Sequence, residues 1–174
     1  MGQARPLLEP RLMTKRPRRL DGFRYVGYQR YFLTACTAFR LPHFTKPALA
    51  SSVVDQLMHN AEHFEFAILA YVLMPDHAHV LAEAESERSD FPAFVKRFKQ
   101  TTGFAYRREA GQPLWQPGYH ERVLRNDEIT EAVVRYILEN PIRAHLSTNL
   151  GEYPFAGSGK YDLETLKTAW DTQV

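Results

Sequence analysis

Residues 71–85 read YVLMPDHAHVLAEAE. Apolar runs flank the segment Pro75-Asp76-His77-Ala78-His79, with Tyr71 to Met74 before it and Val80 to Ala82 after it. Pro75-Asp76 reads as a tight turn between two strands, the first over residues 64–74 and the second over 77–84. Side chains at i and i+2 of a strand share a face. His77 and His79 therefore project side by side, one residue past a turn, from a sheet with a hydrophobic back. Two neutral imidazoles in that arrangement are two ligands for a divalent metal. Taken by itself, a His-x-His pair also fits the half-exposed polar face of an ordinary strand.

The elements on either side set the topology. Residues 24–38 are rich in aromatic and β-favouring types and predict a first strand. Lys46-Pro47 opens a helix whose apolar positions Leu49, Val53, Val54, Leu57 and Met58 recur at helical spacing to about His63. His59 and His63 stand four apart on it, a spacing that could hold a metal, and read rather as a solvated or flanking face because no third ligand is evident nearby. After the hairpin, Ser89 or Asp90 caps a second helix with Pro92 in its first turn. Its stripe of Phe91, Phe94, Val95, Phe98, Thr102 and Ala105 runs to about Arg108. Pro117-Gly118 leads into a fourth strand over 119–124. Asn126 or Asp127 caps a third helix over about 128–139, and Asn140-Pro141 stops it. A last helix is expected from Leu163 to Trp170. The order β-α-β-β-α-β followed by a helix predicts an α+β fold: a ferredoxin-like antiparallel sheet with helices on one face, plus a third helix beyond them.

Composition narrows the class. The chain has 174 residues, 44% of them hydrophobic, with no apolar run long enough to span a bilayer. One domain over residues 21–158 is expected, with a flexible basic arm at 1–20 and a helical tail at 159–174. The single cysteine, Cys36, excludes an internal disulfide framework and fits a reducing, cytoplasmic setting. The net charge of +2 conceals an asymmetry: residues 1–30 hold eight Lys or Arg against two acids, and the remaining 144 hold 14 against 18. A basic arm on a slightly acidic body points to a polyanionic partner. Arg16, Arg18 and Arg19 in the arm, and Lys96 and Lys99 on the second helix, are candidate phosphate contacts. Tyr25, Tyr28, Tyr31, Trp115 and Tyr119 can stack on bases or fill the core. Tyr136 and Asn140 lie four apart, on one helix face.

Three segments together carry a resemblance: MPDHAHVL over 74–81, LWQPGYHERVLR over 114–125 and YILENPIRA over 136–144. In this order and spacing they resemble the REP-associated tyrosine transposases, a branch of the single-tyrosine, His-hydrophobic-His nucleases that includes insertion-sequence transposases acting on single strands. The likeness covers roughly residues 24–158. At position 145 this chain has histidine where the family's Asn-Pro-x-Arg-Ala stretch commonly continues with glycine. The resemblance implies that the third helix bears a nucleophile, Tyr136. It implies Mg²⁺ or Mn²⁺ held by His77, His79 and Asn140. It also implies single-stranded or hairpin DNA as partner and a 5′-phosphotyrosine intermediate in nicking and strand transfer. Arg122, Arg125 and Arg143 fall near that site in sequence and are candidate phosphate contacts or structural ion pairs. Two other readings stand beside this one: a hairpin-DNA-binding module with a regulatory role that does not cut, and a metalloenzyme using metal-bound water. Both a monomer and a homodimer fit.

Overall fold

The computed structural model describes residue 22, residues 24–124 and residues 127–171. Its centre is an antiparallel sheet built from β1 (Arg30–Cys36), β2 (Phe66–Met74), β3 (His77–Ala84), β4 (His120–Leu124) and β5 (Ala156–Gly157). The spatial order is β4-β1-β3-β2-β5. The first four strands give the ferredoxin-like arrangement expected. The hairpin is as tight as Pro75-Asp76 suggested, with Met74 of β2 directly opposite His77 of β3. The short β5 was not foreseen. It pairs with Tyr71 and Val72 on the outer side of β2, and a Cβ at Gly157 would come within 2.9 Å of the Tyr71 hydroxyl.

The first strand is shorter than the expected 24–38. Gly27, with a φ of 99°, turns the chain and bonds to Ser89 O, so Val26 makes only an isolated bridge to Asp90. At the other end, Ala38–Arg40 closes into a single 3-10 turn.

Helices α1 (Pro47–His63) and α2 (Phe91–Ala110) cover one face. Asp90 caps α2, its Oδ1 accepting from Ala93 N, and Gly111 ends it in the left-handed region that glycine tolerates. This face buries Tyr31, Leu33 and Ala35 of β1 and Ala78, Val80 and Ala82 of β3 against Val53, Leu57, Phe91, Phe94 and Phe98. Helix α3 (Asp127–Leu138), the four-residue α4 (Asn140–Arg143) and α5 (Leu163–Asp171) follow in the chain. They contribute to a second core on the opposite face, where Val133, Val134, Ile137 and Trp170 pack on Ala70, Val72 and Leu81. Alternation along β3 thus sends Ala78 and Val80 to one side and His77, His79 and Leu81 to the other. The histidines face the α3 side. Among the described residues, no helix is long and apolar enough to cross a membrane.

Residues 1–20, with the expected arm and its Arg16, Arg18 and Arg19, lie outside the described residues, as does Arg125.

Candidate active site

The two histidines occupy the first and third positions of an interior strand. Strand pairing sets Cys36 of β1 opposite His77 and Thr34 opposite His79. The imidazole centroids are 4.7 Å apart with planes at 77°. His79 is buried. Its Nδ1 lies 2.9 Å from Thr34 Oγ1, and its Nε2 is buried with no hydrogen-bond partner. His77 Nδ1 lies 2.6 Å from Asp76 Oδ1, and Arg40 Nε donates to Asp76 Oδ2 at 2.9 Å. An Nδ1–H held by a carboxylate leaves the Nε2 lone pair of His77 available, the usual arrangement behind metal-binding histidines. The tautomer of His79 with Nδ1–H directed at Thr34 does the same.

The electrostatics agree with that use. Burial, reinforced by His77 and by the cations Arg40 and Arg143, pushes His79 down to about 3. It is neutral at neutral pH, as a metal ligand has to be. Burial pulls the Asp76 carboxyl upward, but the His77 hydrogen bond and the nearby His77 and Arg40 charges outweigh it, and Asp76 stays below its ordinary value. A buried imidazole nitrogen without a partner costs roughly 1–3 kcal/mol, a cost that a divalent cation, if held there, would remove. Among the described residues, no group of three or more His, Cys, Asp or Glu is placed to hold a metal.

Tyr136 reaches the same place from α3. Its neighbours Val133, Val134, Ile137 and Leu138 are buried and fix the helix on the sheet. The half-buried Tyr136 ring lies 5.6 Å from the His79 ring and 6.0 Å from Phe32, which it meets edge-on at 85°. Phe32 in turn lies 5.2 Å from His79. On another side, the Arg143 guanidinium stands 4.4 Å from the Tyr136 centroid. Arg143 also donates to Tyr136 O at 2.6 Å and pairs with Glu139 at 3.5 Å. The helix expected to run to 139 ends at Leu138, and Asn140 opens α4 with Pro141 in its first turn. Tyr136 and Asn140 are thus one turn apart across a helix junction rather than on one continuous helix. The Asn140 side chain makes no hydrogen bond among the described residues.

The structure brings together His77, His79, Tyr136 and Arg143. Cross-strand pairing also puts Arg122 beside Phe32, on the face toward α3, with its side chain exposed. Lys96 is exposed on α2, across the sheet from the histidines. Lys99 is drawn inward: its ammonium donates to Gln116 O at 2.8 Å and to Gly118 O, bracing the turn at Pro117-Gly118. Of the aromatic residues named as possible stackers, Tyr25, Tyr31 and Trp115 are buried and Tyr119 packs against the core, so only Tyr28 is open to a base. His59 and His63 are exposed and line a surface cavity of about 640 Å³ between α1 and α2, with Arg97 and Thr101.

Thr34, Arg40 and Asp76 belong to the site and were not singled out from sequence. Asp76, directly before His77, was read only as a turn residue. Thr34 becomes visible once β1 is laid against β3, since it then sits on the same face as His79.

The family described as "Transposase IS200 like" matches residues 26–140, a span that includes both histidines and Tyr136 and ends on Asn140. The chain is 26% identical over 95 residues to the REP-associated tyrosine transposase of Escherichia coli (strain K12), covering 52% of this chain and 53% of that protein. It therefore spans about half the length of that curated relative. Among solved structures, that of a REP-associated tyrosine transposase bound to a REP hairpin superposes with a TM-score of 0.65 at 20% identity, over 83% of this chain and 82% of the other. At that identity the likeness concerns the fold. With two-thirds of its length matched, the chain belongs to the IS200-like transposase family.

Proposed function

We propose that this protein nicks single-stranded DNA beside hairpin sequences and transfers the cut strand, using Tyr136 as nucleophile. The observation that supports this most is the approach of the Tyr136 ring to within 5.6 Å of His79, whose buried Nε2 lacks a partner. Mg²⁺ or Mn²⁺ held by His77, His79 and Asn140 would polarise the scissile phosphate and ease departure of the 3′ oxygen. Imidazole ligands suit Mn²⁺ at least as well as Mg²⁺.

The remaining work belongs to the chain. Tyr136 Oη forms a bond to phosphorus as the P–O3′ bond breaks. The phenol proton leaves to solvent, the 3′ oxygen departs to become a hydroxyl, and a 5′-phosphotyrosine remains. Arg143, its guanidinium 4.4 Å from the ring centroid, places positive charge beside the nucleophile, where it can meet the negative charge of the scissile phosphate. The phosphotyrosine keeps the phosphodiester energy, so a 3′-hydroxyl from another strand can reverse the step and join. That separates strand transfer from hydrolysis. The REP hairpin bound by the solved relative supports a hairpin-bearing substrate here.

The test uses hairpin oligonucleotides labelled at the 5′ or the 3′ end, with Mn²⁺, resolved under denaturing conditions. A protein-sized adduct on the 3′-labelled strand is expected, abolished by Tyr136→Phe and by EDTA. Cleavage surviving Tyr136→Phe without an adduct would move the chemistry to water. Binding without cleavage across a panel of hairpins would leave a recognition module.

A further inference from the structure

Phe39 is an anomaly on the loop that leaves β1. Its side chain is 79% exposed, the highest value among the exposed large apolar side chains of the described residues. Its backbone lies in the left-handed region, with φ 55° and ψ 16°, and Arg40 follows with φ 58°. Bulky L-residues adopt that conformation rarely, because Cβ crowds the following carbonyl. Two in succession, neither of them glycine, call for a reason.

For Arg40 the reason is visible: the turn delivers its guanidinium to Asp76, which holds His77. The loop is tied down around it. Thr37 N donates to Asp76 O at 2.9 Å, Ala38 N donates to Leu114 O at 2.8 Å, and Thr37 Oγ1 lies 2.8 Å from Leu41 O. None of this needs a large ring at 39. Glycine or asparagine there would make the same turn with less strain and less apolar surface in water. Phe39 has no stacking partner among the described residues, and it sits next in sequence to the residue that braces the metal-ligand candidate His77. The other strongly exposed aromatic side chains among the described residues are Tyr28 and Phe104, the latter on α2, across the sheet from the histidines.

We propose that Phe39 is a base-stacking residue: its ring receives an unpaired base of the DNA strand entering the His77–His79 centre and so fixes where the scissile phosphate comes to rest. The inference rests on the reading of that centre as a site for single-stranded DNA. Every base has a π-face, so such a platform sets position along the strand and not sequence. The strained left-handed turn is the cost of holding the ring out toward the strand while Arg40 turns inward.

The test is a binding measurement in EDTA. The probe is a DNA hairpin with a short single-stranded flank, carrying 2-aminopurine at one flank position at a time. The wild-type protein is expected to quench the probe at one or two positions. Phe39→Gly removes the ring and relieves the left-handed strain together. It is expected to abolish the quench and weaken binding about tenfold, while raising the thermal midpoint. Phe39→Trp is expected to keep both quench and affinity. A Phe39→Gly protein that melts at a lower temperature would make the ring a structural element and overturn the proposal. Unchanged affinity and quench in Phe39→Gly, with wild type binding normally, would overturn this inference alone. Wild type that binds no flanked hairpin would overturn the single-strand reading and this inference with it.

Discussion

His79 is the residue in which fold and chemistry meet most closely. Its burial is a consequence of strand order: β3 lies between β1 and β2, and α3 closes the face above it. That burial pushes its titration down to about 3, whereas an unfolded histidine titrates near ~6.5. Below pH 6.5 the unfolded chain takes up a proton that the folded, metal-free protein refuses. The His79 contribution to stability is therefore expected to be flat above pH 6.5 and to fall on acidification from there toward pH 3. The share of the slope owed to His79 is at most about 1.4 kcal/mol per pH unit. Urea denaturation in EDTA across that range, compared with His79→Gln, checks this, since the variant should lose that share of the slope. Asp76 works through His77 rather than on substrate. In Asp76→Asn the charge that favours Nδ1–H on His77 is gone, and the single amide oxygen cannot accept from both Arg40 and His77, so the amide NH2 must face one of these donors. Mn²⁺ affinity is expected to drop about 10–100-fold with the fold retained, measured by titration calorimetry and circular dichroism. The histidine pair was legible because spacing of two on a strand is a local property. Its supports were less so. Thr34 is 45 positions from His79, and only strand register joins them.

At the scale of elements, periodicity and caps served well wherever an element is long. Helix α1 starts at the Pro47 and ends at the His63 that its apolar spacing indicates, and Asp90 and Gly111 bound α2 as their chemistry predicts. Short or context-made elements were hidden. Strand β5 has two residues and no period, and it exists because Gly157 can lie against the Tyr71 ring. The division between α3 and α4 at Glu139 was likewise read only as a stop at Asn140-Pro141. That junction has a consequence at position 145, where the resemblance leads one to expect glycine. After α4 the chain turns with His145 at φ 57°, the conformation that glycine adopts without strain, while His145 N bonds to Ile142 O at 3.0 Å. His145→Gly keeps that hydrogen bond and removes the clash at Cβ. It is expected to stabilise the protein by about 0.5–1 kcal/mol, the relieved strain being partly offset by the greater freedom of glycine in the unfolded chain. The shift in urea midpoint at constant slope is the measurement.

Over the whole molecule, charge is divided in a way that the fold explains only in part. The body beyond residue 30 is net acidic, yet the face toward α3 exposes Arg122 and Arg143 near the histidines. Internal pairs consume several other cations: Arg30 and Lys160 both bind Glu83, Arg88 binds Glu65, and Arg135 binds Glu139. The first 20 residues hold six Lys or Arg and one Glu, the densest positive charge in the chain. If that segment lies along DNA phosphates, each contact releases condensed counterions, and the logarithm of affinity falls with the logarithm of salt by about 0.7 per phosphate on single strands and 0.9 on duplex. Deleting residues 1–20 is then expected to weaken hairpin binding at low salt and to lower the magnitude of the salt slope by about 3–5. The difference between the two proteins should shrink as salt rises. The adduct expected of Tyr136 at saturating DNA should persist, because His77, His79, Tyr136 and Arg143 all lie beyond the deleted segment. A fluorescence-anisotropy titration of both proteins over a range of salt concentrations decides the matter. Parallel lines would show that the arm makes no phosphate contacts, and the body would then have to bind DNA through the exposed arginines of its α3 face.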